Sequence, residues 1–158
     1  MEKEQCKDAM RYVEGPEDAD VMLVGQNPGA DEVRHERPFV GRAGKYLDKV
    51  LEENDLDRRA MYITQVVREP TPKNRKPHRD EIDRWMPCLV REMERIRPGI
   101  VVLMGAVAWE APRLAGIEYL EIYHPAAAMR FPDIREKFEK DVARLADMMR
   151  DRKLKGAG

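Results

Sequence analysis

The stretch DVMLVGQNPG, Asp20–Gly29, sets an almost wholly apolar run directly against a turn of Gln26, Asn27, Pro28 and Gly29. A run without polar alternation is the pattern of a strand buried on both faces, as in a parallel sheet covered by helices. Ile100–Gly105 (IVVLMG) repeats the pattern. Met61–Val67 (MYITQVV) and Ile117–Tyr123 (IEYLEIY) supply two more strands rich in Val, Ile and Tyr. Between the strands the apolar spacing becomes helical. Tyr46, Leu47, Val50 and Leu51 follow Gly41, and Ile82, Trp85, Met86, Leu89, Val90, Met93 and Ile96 share one face of Arg79–Ile96. A third helix is expected from about Pro132 to Leu154, with Ile134, Phe138, Val142, Leu145 and Met149 inward, and a short one after Gly105 through AVAWEAPRL. Strand and helix alternate, so the expected fold is α/β: a three-layer sandwich whose central, mainly parallel four-stranded sheet is flanked by helices.

The whole chain, 1–158, reads as one domain, since 158 residues with 42% hydrophobic and 37% charged content suffice for one core and not comfortably for two. A net charge of −1 gives no global basic signature, so nucleic-acid binding has to come from local clusters. The charge-rich composition suits a thermophile. No 18-residue apolar run occurs and the N-terminus is charged from Glu2, from which a cytoplasmic protein without a membrane span or secretory signal is expected. Cys6 and Cys88 are the only cysteines and form no C-x-x-C pair. They are expected to be reduced thiols, and neither a zinc site nor a four-thiolate cluster is expected; the expectation is therefore of no cofactor and no metal.

In an open α/β sheet, sites lie at the carboxyl ends of the strands. Gln26-Asn27-Pro28-Gly29 leaves the first strand there, Gly105 the third, and Tyr123-His124-Pro125 the fourth; Gln65 lies near the end of the second. The sheet should gather Gln26, Asn27, Gln65 and His124 into one ring. Beside it, Arg68–Arg79 (REPTPKNRKPHR) carries five Lys or Arg against one Glu in a proline-punctuated loop, either simply solvated or a clamp for phosphates.

Four motifs in order over roughly Ala19–Arg130 resemble the uracil-DNA glycosylase superfamily, most closely its family 4 type. GQNPGADEVRHERPFVGRAG, Gly25–Gly44, follows the pattern G-E-[AG]-P-G-x-x-E-D-x-x-G-x-P-F-V-G-x-A-G at its glycines, both prolines, Glu32, Phe39 and Val40. TQVVREPTPKNRKP (Thr64–Pro77) resembles T-N-V-V-K-C-R-P-P-x-N-R-x-P, LMGAVA resembles the apolar strand ending in Leu-Gly, and HPAAAMR (His124–Arg130) fits H-P-[SA]-x-x-x-R. There are departures. Glu69 and Trp85 stand at two expected cluster-cysteine positions, so this version should lack the family's iron–sulfur cluster. Gln26-Asn27 is closer to the turns of family 1 and the mismatch-specific enzymes.

The resemblance implies excision of uracil from DNA by water attack, leaving an abasic site. Phe39 would stack on the flipped base, worth about 1–3 kcal/mol; alternatively it is a core residue. Gln65 would read the N3–H/O4 edge of uracil, or is a solvated strand-end amide. His124 would donate to the developing anion at O2, or is structural. Asn27 would orient water without titrating, or merely holds the turn. Gln26, Gly25 and Gly29 complete the base site. Lys73, Asn74, Arg75, Met129, Arg130, Gly41 and Gly44 would contact DNA, Met129 and Arg130 as the wedge that fills the vacated stack. Asp31 and Glu32 read as a solvated acidic loop. The expected partner is DNA containing uracil or another deaminated base, met by a monomer at the nucleoid. Two rivals remain, a non-catalytic binder of such DNA and a glycosylase of broader base or mismatch range. A phosphate-cradling nucleotide protein is disfavoured because GQNPG lacks the P-loop lysine and no G-x-G-x-x-G occurs.

Overall fold

The computed structural model describes the backbone of residues 4–157 and the side chains of residues 5–153. Four strands, β1 (Val21–Gly25), β2 (Tyr62–Gln65), β3 (Ile100–Met104) and β4 (Glu118–Ile122), form one sheet in the order β2-β1-β3-β4. Every pairing is parallel, and the register sets Gly25 beside Gln65 and Val24 beside Leu103. The helices are α1 (Glu4–Asp8), α2 (Ala30–His35), α3 (Arg42–Glu53), α4 (Arg79–Ile96), α5 (Pro125–Arg130) and α6 (Pro132–Ala157).

Side chains alternate across each strand, which divides the core in two. Met22, Val24, Tyr62, Val101 and Leu103 face α4, meeting Trp85, Leu89 and Met93. Val21, Leu23, Ile63, Ile100, Val102 and Met104 face α3 and α6, meeting Leu47, Val50, Leu51, Phe138, Val142 and Leu145. Both faces of β1 and β3 are thus covered, as their unbroken apolar runs required, and the three-layer α/β sandwich is as expected. The helix over Arg79–Ile96 has the expected limits.

Two expectations are corrected. The stretch after Gly105 forms only a 3-10 turn, Ala108–Glu110. Pro112 lacks the N–H a longer helix needs, and the Trp109 indole donates to the carbonyls of Leu103 and Ile122 (3.0 Å each), tying the turn to the sheet instead. Cys6 and Cys88 are not free thiols: they form a disulfide across 82 residues, fastening α1 to α4. Nothing in their spacing announces the pairing, because only the folded chain brings their Cα atoms to 5.5 Å.

The segment after α1 runs along the outer edge of β2. There Glu14 exchanges backbone hydrogen bonds with Ile63 (3.1 and 2.7 Å) in an antiparallel bridge. Beyond β2 the chain stays attached to the β1 turn, since Val66 N–H donates to Gly25 O and Val67 N–H to Gln26 O.

Candidate active site

At the carboxyl end of the sheet lies a cavity of about 330 Å³, lined among others by Gln26, Asn27, Glu32, Phe39, Gln65 and His124. The ring expected from the sequence is therefore assembled, with Gly29, Gly44 and Asn74 also in its wall.

Gln65 ends β2 and is buried, which removes the solvated reading. Its Nε2 donates to Tyr12 O at a long 3.5 Å, while its Oε1 is buried without a hydrogen-bond partner among the described residues. A buried acceptor left open costs about 1–3 kcal/mol, so this amide is built to meet a donor. Asn27 is held by both ends: its Oδ1 accepts from Gln26 Nε2 (3.2 Å), and its Nδ2 donates to Thr71 Oγ1 (3.3 Å). The amide oxygen keeps a lone pair for a water.

Phe39 is buried and its ring lies against β1, where a Cβ on Gly25 would come within 2.6 Å of Phe39 Cε2. Only glycine permits that approach. Gly44 plays the same part against the Phe39 backbone. The Phe39 ring stacks on His124 with centroids 5.7 Å apart and planes at 30°. Phe39 is thus both a wall of the cavity and a member of the core, so its two readings coincide.

His124 caps the N-terminus of α5. Its Nδ1 accepts from Ala126 N–H (3.0 Å), an N-cap bond supplied by an imidazole. An accepting Nδ1 places the neutral ring's proton on Nε2. Burial pushes the histidine down from 6.5 to about 4, against the opposing pull of the Glu32 carboxylate. Near neutral pH the ring is an uncharged Nε2–H donor.

Glu32 is not a solvated acid. Its carboxylate accepts from the N–H of Gly29 (3.0 Å), Val40 (2.8 Å) and Gly41 (2.8 Å), clasping the start of α2 to the start of α3. The signal was present: a glutamate three residues after the residue that opens a helix is the capping-box spacing.

The basic loop divides. Arg75 is engaged by Glu81 (2.7 and 3.2 Å), whose carboxylate is held well below its usual range by that guanidinium and by the His78 N–H. Lys73 and Asn74 form the exposed crest, both with left-handed backbones (φ 54° and 56°). Met129 is half-buried and its carbonyl accepts from Arg135. Arg130 is exposed and lies 5.4 Å over the ring of Phe131, itself 47% exposed, an aromatic that the sequence reading passed over. Gly41 donates to Glu32 at the cavity's rim.

Comparison with known proteins gives the family of the chain as a whole. The Uracil DNA glycosylase superfamily profile matches residues 12–146. The chain is 33% identical to the type-4 uracil-DNA glycosylase of Archaeoglobus fulgidus, over 85% of this chain and 79% of that one. It is also 33% identical to the type-4 enzyme of Pyrobaculum aerophilum (82% and 78%), and 30% identical to a type-5 uracil-DNA glycosylase of the same organism (71% and 63%). With the profile spanning residues 12–146 and the relatives matched over most of the chain's length, this chain belongs to the uracil DNA glycosylase superfamily.

Proposed function

We propose that this single-domain chain is a monofunctional uracil-DNA glycosylase of DNA repair, which hydrolyses the N-glycosidic bond of uracil and leaves an abasic site. The observation that carries the proposal is the meeting of Phe39, Gln65, Asn27 and His124 in one cavity.

Each residue answers one demand of the reaction. The base must leave the stack to be reached, and Phe39 offers it an apolar face. The open Oε1 of Gln65 takes the imide N3–H, and a hydrogen of its Nε2 is available to O4. When the bond between C1′ and N1 breaks, its electron pair leaves with the base. The Nε2–H of neutral His124 meets the charge growing on O2, a bond stronger in the transition state than before it. Water held by Asn27 then adds to C1′ and releases its proton, while the base anion takes up a proton on departure. An amide orients but does not abstract, which suffices for a cation-like sugar.

Lys73, Asn74 and Arg130 are the exposed groups assigned to phosphates, with Met129 and Arg130 as wedge and Gly41 and Gly44 permitting close approach; Arg75 shapes the loop through Glu81. The chain's residues do not fit the iron–sulfur cluster of the type-4 pattern. Its two cysteines are bonded to each other, and Trp85 and Glu69, at two of the cluster positions, are hydrogen-bonded instead (3.0 Å). No step passes through a cluster. The enzyme is proposed to act as a monomer on cytoplasmic, nucleoid-associated DNA.

A second reading, a wider range of deaminated bases or mismatches, is favoured by Gln65, whose extra methylene relative to asparagine shifts where a base must lie. Purified protein is to be tested on uracil-containing oligonucleotides, single-stranded and as G:U and A:U duplexes, with alkali to reveal abasic sites. Cleavage is expected. Tight binding with no cleavage on any of the three would replace the enzyme with a non-catalytic binder.

A further inference from the structure

We infer that Arg58 is a positioning residue that fixes the Phe39 ring as a wall of the cavity, a role that rests on the reading of Phe39 as the surface on which the flipped base stacks. Phe39 has a left-handed backbone (φ 50°), a conformation that a bulky side chain seldom adopts unless its surroundings hold it there. Those surroundings come from Arg58, in the 3-10 turn Arg58–Ala60 just before β2. Its Nη1 donates to Phe39 O (2.6 Å) and its Nη2 to Pro38 O, so one planar guanidinium spans two successive carbonyls. Without these donors both carbonyls lose their side-chain partner, and the Phe39–Val40 peptide keeps only the bond from Val40 N–H to Glu32, which leaves Phe39 freer to return to negative φ and swing its ring off Gly25.

The guanidinium is itself anchored. Nη1 meets Asp48 of α3 at 3.0 Å and Nη2 meets Glu14 at 3.3 Å. Glu14 is bound by Arg37 through both oxygens (2.8 and 3.1 Å) and by its backbone to Ile63 of β2. Phe39 is therefore referenced to α3 and to the sheet through a single side chain. Lysine cannot replace it, because an ammonium has no fork to bridge two carbonyls and two carboxylates together.

The test compares Arg58→Lys and Arg58→Ala, each alone and with Phe39→Ala, in single-turnover excision from a uracil oligonucleotide. Displacement of a positioning surface by about 1 Å costs up to about a hundredfold. Arg58→Ala should approach that loss in the chemical rate and Arg58→Lys lose about tenfold, both with DNA affinity little changed. In the Phe39→Ala background neither substitution should cost more. A readout free of activity is the ring-current shift of the Gly25 α-proton that points at the Phe39 ring, where a Cβ would come within 2.6 Å of Cε2. It should collapse in both variants while core methyl shifts from Leu47 and Val50 stay. Should Arg58→Ala fail to fold, Arg58→Lys carries both measurements. Wild-type rates in Arg58→Lys with an intact Gly25 shift, or equal losses with and without Phe39, would overturn the inference. Failure of the wild-type protein to excise uracil would overturn the proposed function instead, and the Gly25 shift would still decide the role of Arg58.

Discussion

Two arginines brace the cavity from behind, in contrasting surroundings. Arg68 donates through Nε to Gln65 O (3.2 Å) and pairs through its Nη atoms with Glu92, which also accepts from Tyr62 and Thr64 (2.7 Å each). The Arg68 and Glu92 side chains are only 1% and 3% exposed. Burial, followed by the Glu92 charge, pushes the Tyr62 hydroxyl up, so it stays a donor. Arg58 holds the other wall, but its carboxylates Asp48 and Glu14 are 37% and 28% exposed. Both devices use an arginine to hold a backbone carbonyl of a cavity residue. In the buried one, neither ion can be removed without stranding the other outside water, and the penalty falls on stability. In the other, Arg58 is itself 12% exposed but its carboxylate partners reach water, so water can replace a lost partner there and the penalty falls more on where a ring sits.

Ranked by effect on stability, the variants that probe this contrast begin with Glu92→Ala. Stranding Arg68 should cost about 3–5 kcal/mol in urea unfolding. A loss below about 1 kcal/mol would place the two arginines in one class. Next is the disulfide, which lines a second cavity of about 300 Å³ with Arg68 and Glu92. Cys6→Ser/Cys88→Ser should cost about 2–4 kcal/mol, read from the urea midpoint, with excision per folded molecule unchanged at low temperature. His124→Ala should move stability by about 1 kcal/mol, the usual size for a lost N-cap, yet lower single-turnover excision by about 10²–10³-fold, as removal of an anion-stabilising donor does. Equal losses in DNA affinity and rate would contradict that assignment.

The smallest effect is on pH dependence. The folded pKa of His124, about 4, lies below its ordinary 6.5, so the unfolded chain binds more protons between those values. Its contribution to stability is complete above pH 6.5 and is lost as pH falls through about 4. Protonating Nδ1 would set two N–H groups face to face and uncap α5. The pH–rate profile should therefore be flat through 6.5, with an acid limb near 4. An inflection at 6.5 would mean that the ring is solvated.

The parts legible in the sequence were those set by repeating local patterns. The limits of α4 follow from one apolar face, and the convergence of Asn27, Gln65 and His124 follows from strand order alone. Illegible parts depended on who meets whom. For Glu32 the capping-box spacing announced the bond to Gly29, but its bonds to Val40 and Gly41 exist only once the folded loop brings those residues to it. Arg58 gave no signal, since a surface arginine and one reaching under a loop look alike in a sequence. The Cys6–Cys88 contact and the capping by His124 are likewise products of the fold.

The Glu14–Ile63 bridge also bears on how the molecule behaves in a crowded solution. A parallel sheet has two rims, and an uncovered rim is a template on which another chain can add a strand. Here the β2 rim is met by the protein's own backbone at Glu14, and β4 is only Glu118–Ile122, with Glu118 and Glu121 exposed along it. A short rim carrying charged side chains is a poor template for a copy of the same strand. The same glutamate whose side chain steadies Arg58 thus helps, through its main chain, to keep the sheet from growing between molecules.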